Sequence, residues 1–90
     1  MTNGKHIIEG ELTIYTVAEW KEKFLASLLT NEVVNLDLSK VSEIDAAGLQ
    51  LLIMMKQSAT ALNKVLRIHS YSPVVLELLD LSGLADFFCD

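Results

Sequence analysis

Alternating apolar and polar residues predict three β-strands. The segment Val33–Leu38 places its apolar side chains on one face and its polar ones on the other, and Val65–His69 alternates in the same way. An earlier strand is predicted from His6–Glu9 and Glu11–Tyr15, with a bend at Gly10 between the two parts.

Helix-start signals precede three further segments. The first helix is predicted to follow Thr16, which forms a capping-box pattern with Glu19 three residues on. The second is predicted to begin at Asp45, whose carboxylate can accept hydrogen bonds from amides of the first turn and favours the positive end of a helix. The third follows Ser72–Pro73, a cap residue and then proline at the first helical position, and is predicted to stop at Ser82–Gly83.

The order β-α-β-α-β-α predicts a single α/β domain over residues 1–90. We expect a small, largely parallel or mixed β-sheet of three to four strands. Right-handed crossovers on one face of the sheet would make the strands neighbours in sequence order. Because the strands alternate instead of being apolar throughout, we expect the helices mainly on one face. The open face would then carry Asn35, Asp37, Arg67 and His69.

Composition and charge narrow the possible function classes. Hydrophobic residues make up 51% of the 90 residues and mean hydropathy is +0.37, values that exclude a disordered chain. The formal net charge of −5 argues against binding to nucleic acid, whose phosphates require clustered Lys and Arg, and against docking on anionic lipid.

The sequence also favours a cytoplasmic location. Residues 1–6 contain no apolar segment of the kind found in signal peptides. The longest strictly apolar run in the middle of the chain, Leu51–Met55, is far shorter than the roughly 20 residues that span a bilayer. Cys89 is the single cysteine, so an intrachain disulfide is impossible, and we interpret it as a free thiol in a reducing compartment.

Patterns for catalysis, cofactor binding and metal binding are missing from the sequence. It has no nucleophile elbow, no zinc-protease motif, no Cys-x-x-Cys pair and no glycine-rich phosphate loop. We interpret His6 and His69 as structural, and Asp37 as a strand carboxylate that lacks a partner acid or nucleophile. We expect no enzymatic activity, no cofactor and no metal site.

One stripe of the second helix is apolar enough to face the sheet. The residues of this stripe are Gly48, Leu51, Leu52, Met55, Ala59 and Leu62. Ile53 and Met54 point away from the stripe, and Leu49 lies near its edge. Two interpretations stay open: the first helix or the C-terminal tail covers these side chains, or they form a docking surface for a protein.

The strand before the second helix reads Leu-Asp-Leu-Ser at residues 36–39, and the helix opens with Asp-Ala-Ala-Gly-Leu at residues 45–49. Together these motifs resemble the signature of the STAS domain family, named for sulfate transporters and anti-sigma factor antagonists. The likeness extends to GELTIYTVAEWK before the motifs and LLDLSGLADFF after them, so it covers nearly the whole chain.

The resemblance implies a small sheet flanked by helices, without catalysis, that binds a protein at the N-terminal end of the second helix. In anti-sigma factor antagonists the partner is a kinase-like anti-sigma factor, which phosphorylates the serine after the aspartate; the added charge then separates the two proteins. Here Ala46 occupies that position and Ala47 follows it, so the usual phosphoacceptor is absent. Ser39 and Ser42 are the remaining candidate acceptors nearby.

We therefore expect a bacterial interaction module like an anti-sigma factor antagonist, acting in signal transduction and transcription regulation without phosphoregulation at the usual site. The predicted partner-binding residues are Asp45, Ala46, Ala47, Gly48, Leu49, Ile53 and Met54. Two alternatives stay open: a STAS scaffold in a chemotaxis or two-component pathway, and a cytosolic STAS subunit of an ABC-type lipid transporter. Gly48 also has two interpretations, since its missing side chain lets either a partner backbone or the protein's own sheet edge approach closely.

Overall fold

Strands and helices alternate along the chain until a short fourth helix follows the third. The computed structural model describes residues 3–88, so Cys89 lies outside the described residues. The strands are β1 (Asn3–Leu12), β2 (Val33–Ile44) and β3 (Val65–Tyr71). The helices are α1 (Val17–Thr30), α2 (Ala46–Ala61), α3 (Pro73–Ser82) and α4 (Ala85–Phe88).

The sheet is parallel and has the predicted strand order. Within the described residues it contains three strands in the order β1-β2-β3, and both neighbouring pairs are parallel. Along β2, the apolar side chains of Val34, Leu36 and Leu38 are fully buried, whereas Asn35 and Asp37 between them are only half-buried. The alternation confirms the prediction that the helices cover mainly one face.

Strand lengths differ from those predicted. β2 continues to Ile44 because it stays paired with β1 as far as the pair Leu12–Ile44, through two register shifts. Gly10, predicted as a bend, has φ 82° beside the second shift, a backbone angle that glycine adopts easily. β1 ends at Leu12, so its predicted extension to Tyr15 is wrong: residues 13–16 form a turn.

The helices α1 and α3 begin where the sequence signals predict, but the side-chain hydrogen bonds expected at their first turns are not formed. Thr16 precedes α1, but its hydroxyl makes no cap bond; it accepts from the Thr13 N–H and donates to the Glu11 carbonyl oxygen, each at 3.0 Å. The prediction of a capping box at Thr16 and Glu19 is therefore wrong. Ser72 precedes Pro73 as predicted, yet its buried hydroxyl has no partner among residues 3–88. Gly83 ends α3 as predicted, in the left-handed conformation.

The hydrophobic core lies between the sheet and the helices, and every strand and helix contributes to it. It comprises Ile8, Leu12, Phe24, Leu28, Val34, Leu36, Leu38, Val41, Leu49, Leu51, Leu52, Met55, Ala59, Leu66, Val75, Leu79 and Phe88. Burial of these side chains is the main favourable term holding the helices on the sheet.

His6 lies on the helix-covered face at the edge of this core. Its ring packs edge-on against Phe24, with 5.4 Å between ring centroids. Its Nε2 is buried without a hydrogen-bond partner in the part of the chain that the structure describes. Burial, and secondly the charge of Lys23, hold the pKa of His6 below its ordinary value of 6.5. The folded protein therefore favours the neutral ring.

We expect acid to destabilise the fold through His6. Because the pKa of His6 is lower in the folded state than in the unfolded chain, the unfolded chain binds the proton more readily. The free energy of unfolding should be highest above pH 6.5 and should fall as the pH drops through that value. Urea denaturation at several pH values measures this loss.

The H6Q variant should lose this dependence between neutral pH and mild acid. K23Q should weaken it, because removing the nearby positive charge lets the folded-state pKa rise toward its ordinary value. A pH dependence that is the same in the parent protein and in H6Q would assign the effect to other groups.

Candidate functional site

The N-terminal end of α2 is tied to the β1–α1 turn by one carboxylate. Asp45 Oδ1 accepts from the Gly48 N–H at 3.0 Å, which is the predicted cap bond. Asp45 Oδ2 accepts from the Ile14 N–H, also at 3.0 Å. The Asp45 N–H in turn points to the Leu12 carbonyl oxygen at 3.4 Å. Asp45 thus connects the end of β1, the following turn and the start of α2.

These hydrogen bonds favour the ionised form of Asp45. Donation from Ile14, and next from Gly48, holds the pKa of the Asp45 carboxyl below its ordinary value of 3.8. Since the folded-state pKa is depressed, the carboxylate stabilises the fold above pH 3.8, and this contribution is lost as the pH falls through the folded-state value. The positive end of the α2 dipole acts in the same direction.

Ala46 and Ala47 present a small, neutral surface at this tip. Ala46 is exposed and Ala47 is half-buried, both in the first turn of α2. The Gly48 and Leu49 N–H groups already donate to Asp45, the first to its side chain and the second to its backbone carbonyl oxygen. The tip therefore presents methyl groups where the family pattern has a hydroxyl group.

Gly48 is held against the protein's own sheet, which is the second of its two interpretations. A Cβ at this position would overlap the Leu12 carbonyl oxygen and lie 3.0 Å from Ile44 Cγ1. Gly48 and Leu49 are both buried. These two predicted partner-binding residues support the tip from beneath, whereas Asp45, Ala46 and Ala47 are accessible.

The turn after β1 adds two exposed apolar side chains that the sequence analysis did not include in the site. Ile14 is 63% exposed and Tyr15 is 88% exposed, and the hydrogen bond from the Ile14 N–H to Asp45 ties them to the tip. The apolar run through Tyr15 resembled a strand, which concealed the turn. The Thr-x-x-Thr pattern at residues 13–16 was the available signal, since threonine hydroxyls commonly close turns.

A groove of about 460 Å³ separates α1 from the N-terminal half of α2. Val17 and Lys21 line it from α1, and Ala47, Gln50 and Met54 line it from α2. It begins at Ala47, so it is continuous with the tip. Protein interfaces typically have an apolar centre and a polar rim, and a largely apolar groove with Lys21 at its edge fits that description.

Ile53 and Met54, the other predicted partner-binding residues, are both half-buried. Each packs against the core, and Met54 also lines the groove between α1 and α2. Coverage by neighbouring elements is thus partial for both side chains. Contact of either residue with a partner stays a prediction.

The two candidate phosphoacceptors other than the usual position, Ser39 and Ser42, lie on β2 and not at the tip. Ser39 is exposed, and its hydroxyl donates to Asp37 Oδ1 at 2.6 Å. The Ser39 N–H donates to the same oxygen at 2.9 Å, so both bonds hold the pKa of Asp37 below its ordinary value. Ser42 is also exposed, three residues before Asp45. Neither hydroxyl occupies the position that Ala46 takes at the start of α2.

The open face of the sheet carries the polar residues predicted for it. His69 Nε2 lies 2.6 Å from Asn35 Oδ1, and the Asn35 side-chain amide donates to the Gly4 carbonyl oxygen at 3.2 Å. Over residues 3–88, no group of three His, Cys, Asp or Glu side chains is placed to hold a metal ion. In the same range, no helix has the length and apolar character needed to cross a membrane.

Comparisons with known proteins agree with this architecture. A family model described as "Mlab, STAS domain" matches residues 7–89, which confirms the resemblance seen in the motifs. No curated protein matches the chain by sequence. Among solved structures, the anti-sigma factor antagonist SpoIIAA in its unphosphorylated form is similar, with a TM-score of 0.78 and 18% identity over 94% of this chain and 76% of that one.

A sulfate transporter family protein from Wolinella succinogenes is also similar in structure. Its TM-score is 0.79, with 20% identity over 96% of this chain and 70% of that one. At such low identities, both likenesses concern the fold. The shared fold is the α/β arrangement of a parallel sheet and flanking helices described above.

We expect D45A to destabilise the protein more than D37A. Loss of the Asp45 carboxylate leaves the Ile14 and Gly48 N–H groups without their acceptor. The Asp37 carboxylate, in contrast, accepts from Ser39, two residues along the same strand. Thermal melting at pH 7 and pH 3 measures the difference. The loss in D45A should shrink at the lower pH, because below about pH 3.8 the unfolded parent chain takes up a proton that folded Asp45, with its depressed pKa, binds less readily.

An equal loss in D45A and D37A at pH 7 would contradict the connecting role of Asp45. Amide hydrogen exchange supplies a second measurement. The Ile14 N–H should lose protection in D45A and keep it in D37A.

We expect G48A to lower stability although alanine is the better helix former. The added methyl group overlaps the Leu12 carbonyl oxygen, and overpacking of this kind costs about 1–3 kcal/mol. Denaturant titration gives the change in the free energy of unfolding. A46G is the matched control. It makes the reverse exchange, alanine to glycine, at an exposed position of the same turn, where helix propensity acts without close packing. A stability of G48A equal to or above that of the parent would contradict the close packing.

Proposed function

Because the chain belongs to the STAS domain family, we propose that it acts without catalysis, as an interaction module of the anti-sigma factor antagonist type. The tip of α2 is the proposed contact. The observation that supports this proposal is the exposed Ala46, presented at a tip whose shape is held by two hydrogen bonds to Asp45. A preorganised surface loses little conformational entropy when a partner binds.

The chemistry of the tip favours a partner that approaches closely. Methyl groups at Ala46 and Ala47 are small and uncharged, so a partner's side chains can pack on them without displacing strongly bound water. Tyr15 adds a large amphipathic side chain beside the tip, and Met54 adds an adaptable one along the groove. Tyrosine and methionine are both enriched at protein interfaces.

The proposed partner is a kinase-like anti-sigma factor or another signalling protein of the bacterial cytoplasm, and the proposed process is transcription regulation. Ala46 cannot accept a phosphate, so phosphorylation at this position cannot release the partner. The complex would be controlled by the supply of its components or by the partner's own state. Lys21, at the edge of the groove, would attract an acidic residue of the partner.

A second candidate is a subunit of an ABC-type lipid transporter. Ala46 and Ala47 favour it as well, because a permanently assembled subunit has no need of a release switch. The partner in this case would be the transporter's ATPase. The same tip would bind it, so the identity of the captured protein distinguishes the two candidates.

We expect A46D to weaken partner binding strongly while leaving the fold nearly intact. The new carboxylate lies at a helix N-terminus, where the dipole favours it, so the stability loss should be less than about 1 kcal/mol. Desolvated and unpaired in an interface, it should cost on the order of 2–5 kcal/mol of binding free energy, or about thirtyfold or more in affinity. The matched control is A85D, which places the same charge at the first residue of α4.

Affinity capture is carried out with the parent, A46D and A85D proteins. Mass spectrometry then identifies the proteins that the parent and A85D retain and that A46D does not. Calorimetry with the purified partner then gives the affinities. An anti-sigma factor or other signalling protein among those partners supports the first candidate, and an ATPase of a membrane transporter supports the second. Equal binding by A46D and the parent would move the contact away from the tip.

A further inference from the structure

The outer side of α3 carries a second apolar groove, separate from the groove between α1 and α2. This α3 groove, of about 290 Å³, runs between α3 and the end of β2. Its apolar residues are Ile44, Val74, Leu78 and Leu81, and its acidic residues are Glu43 and Glu77. The three α3 leucine and valine positions follow the spacing i, i+4, i+7, so they form one stripe along the helix.

Much of this stripe is accessible. Leu81 is 78% exposed and Val74 is 37% exposed, while Leu78 is half-buried between them. Transfer of side chains of this size from water into an apolar contact is strongly favourable. Val75 and Leu79, on the adjoining side of α3, are buried in the core, which leaves the stripe available to another molecule.

The charge around the α3 groove has one sign. Glu43 and Glu77 are both exposed, and neither forms an ion pair within the described range 3–88. The chain from Ile68 to Phe88 contains no Lys or Arg, whereas it contains Glu77, Asp80 and Asp86. The groove therefore combines an apolar floor with an acidic edge.

We propose that the α3 groove binds an amphipathic helix of a protein partner that carries lysine or arginine beside its apolar stripe. Apolar side chains of that helix pack between α3 and the end of β2, as ridges into a groove. Its cations face Glu43 and Glu77. Charge complementarity of this kind determines which partner binds and speeds its association.

The same charges argue against two other occupants. A symmetric dimer through this surface would bring the acidic edges of two copies together, because a two-fold interface uses the same patch on both subunits. A membrane surface rich in anionic lipid would be repelled by these carboxylates. A cationic helix neutralises them and covers the apolar stripe at the same time.

A synthetic helical peptide tests the proposal directly. The probe is a labelled peptide of about 18 residues, with a leucine stripe flanked by lysines, and the matched peptide has glutamate in place of each lysine. Fluorescence anisotropy at about 0.15 M salt gives the affinities, and amide chemical-shift changes locate the binding surface. We expect the lysine peptide to bind at least about tenfold more tightly, with its shifts on α3 and residues 42–44.

Three variants make the test specific. L81Q should weaken the lysine peptide about tenfold, since a leucine contact is lost. L76Q is the matched control, because Leu76 is 52% exposed but helical spacing places it on the other side of α3. The affinity of L76Q for the lysine peptide should stay within about twofold of the parent's. The double variant E43K/E77K should reverse the preference and favour the glutamate peptide.

The proposal is overturned if L76Q and L81Q weaken binding equally, or if E43K/E77K leaves the preference unchanged. It is also overturned if sedimentation shows a dimer of the parent that L81Q dissociates, or if L81Q abolishes binding to phosphatidylserine-containing vesicles. A46D should bind the peptide like the parent. The α3 groove and the tip of α2 can therefore fail independently.

Discussion

The Asp45 carboxylate holds together two parts of the chain that its two oxygen atoms reach separately. One oxygen accepts from the first turn of α2, and the other accepts from Ile14, which is 31 residues away in sequence. The Gly48 N–H lies in the first turn of α2 and the Ile14 N–H in the turn after β1. At both places the regular backbone supplies no acceptor. A single side chain thus completes the hydrogen bonding of a helix start and of a turn.

This arrangement depends on how closely α2 approaches β1. The pairing of β1 with β2 continues to Leu12 and Ile44, so both strands leave the sheet at the same level. Gly48 then allows the first turn of α2 to contact the Leu12 carbonyl oxygen. With that contact in place, the Asp45 side chain reaches Ile14, and Ala46 is left facing outward. The exposed tip is therefore a consequence of strand register and of one missing side chain.

Local signals in the sequence were sufficient for the order of the strands and of the three longer helices, and for the cap at Asp45. Asp45 accepts from an amide three residues later, and Gly83 stops α3 through its own backbone angle, so a short window of sequence contains both effects. The resemblance to the STAS family located the tip. The contact between Ile14 and Asp45 could not be predicted in this way, because it depends on which strand ends meet. Thr16 shows a competition that sequence patterns do not resolve, since its hydroxyl satisfies the turn and not the helix.

The two exposed apolar surfaces follow from the size and composition of the domain. A chain of 90 residues that is 51% hydrophobic has too small an interior to bury every apolar side chain. Part of the excess lies along the groove beside α2 and along the outer stripe of α3. Charge distinguishes these surfaces: Lys21 lines the first, whereas Glu43 and Glu77 line the second. In the proposed complexes, apolar contact would supply affinity at both surfaces, and the opposite signs of charge would select a different partner for each.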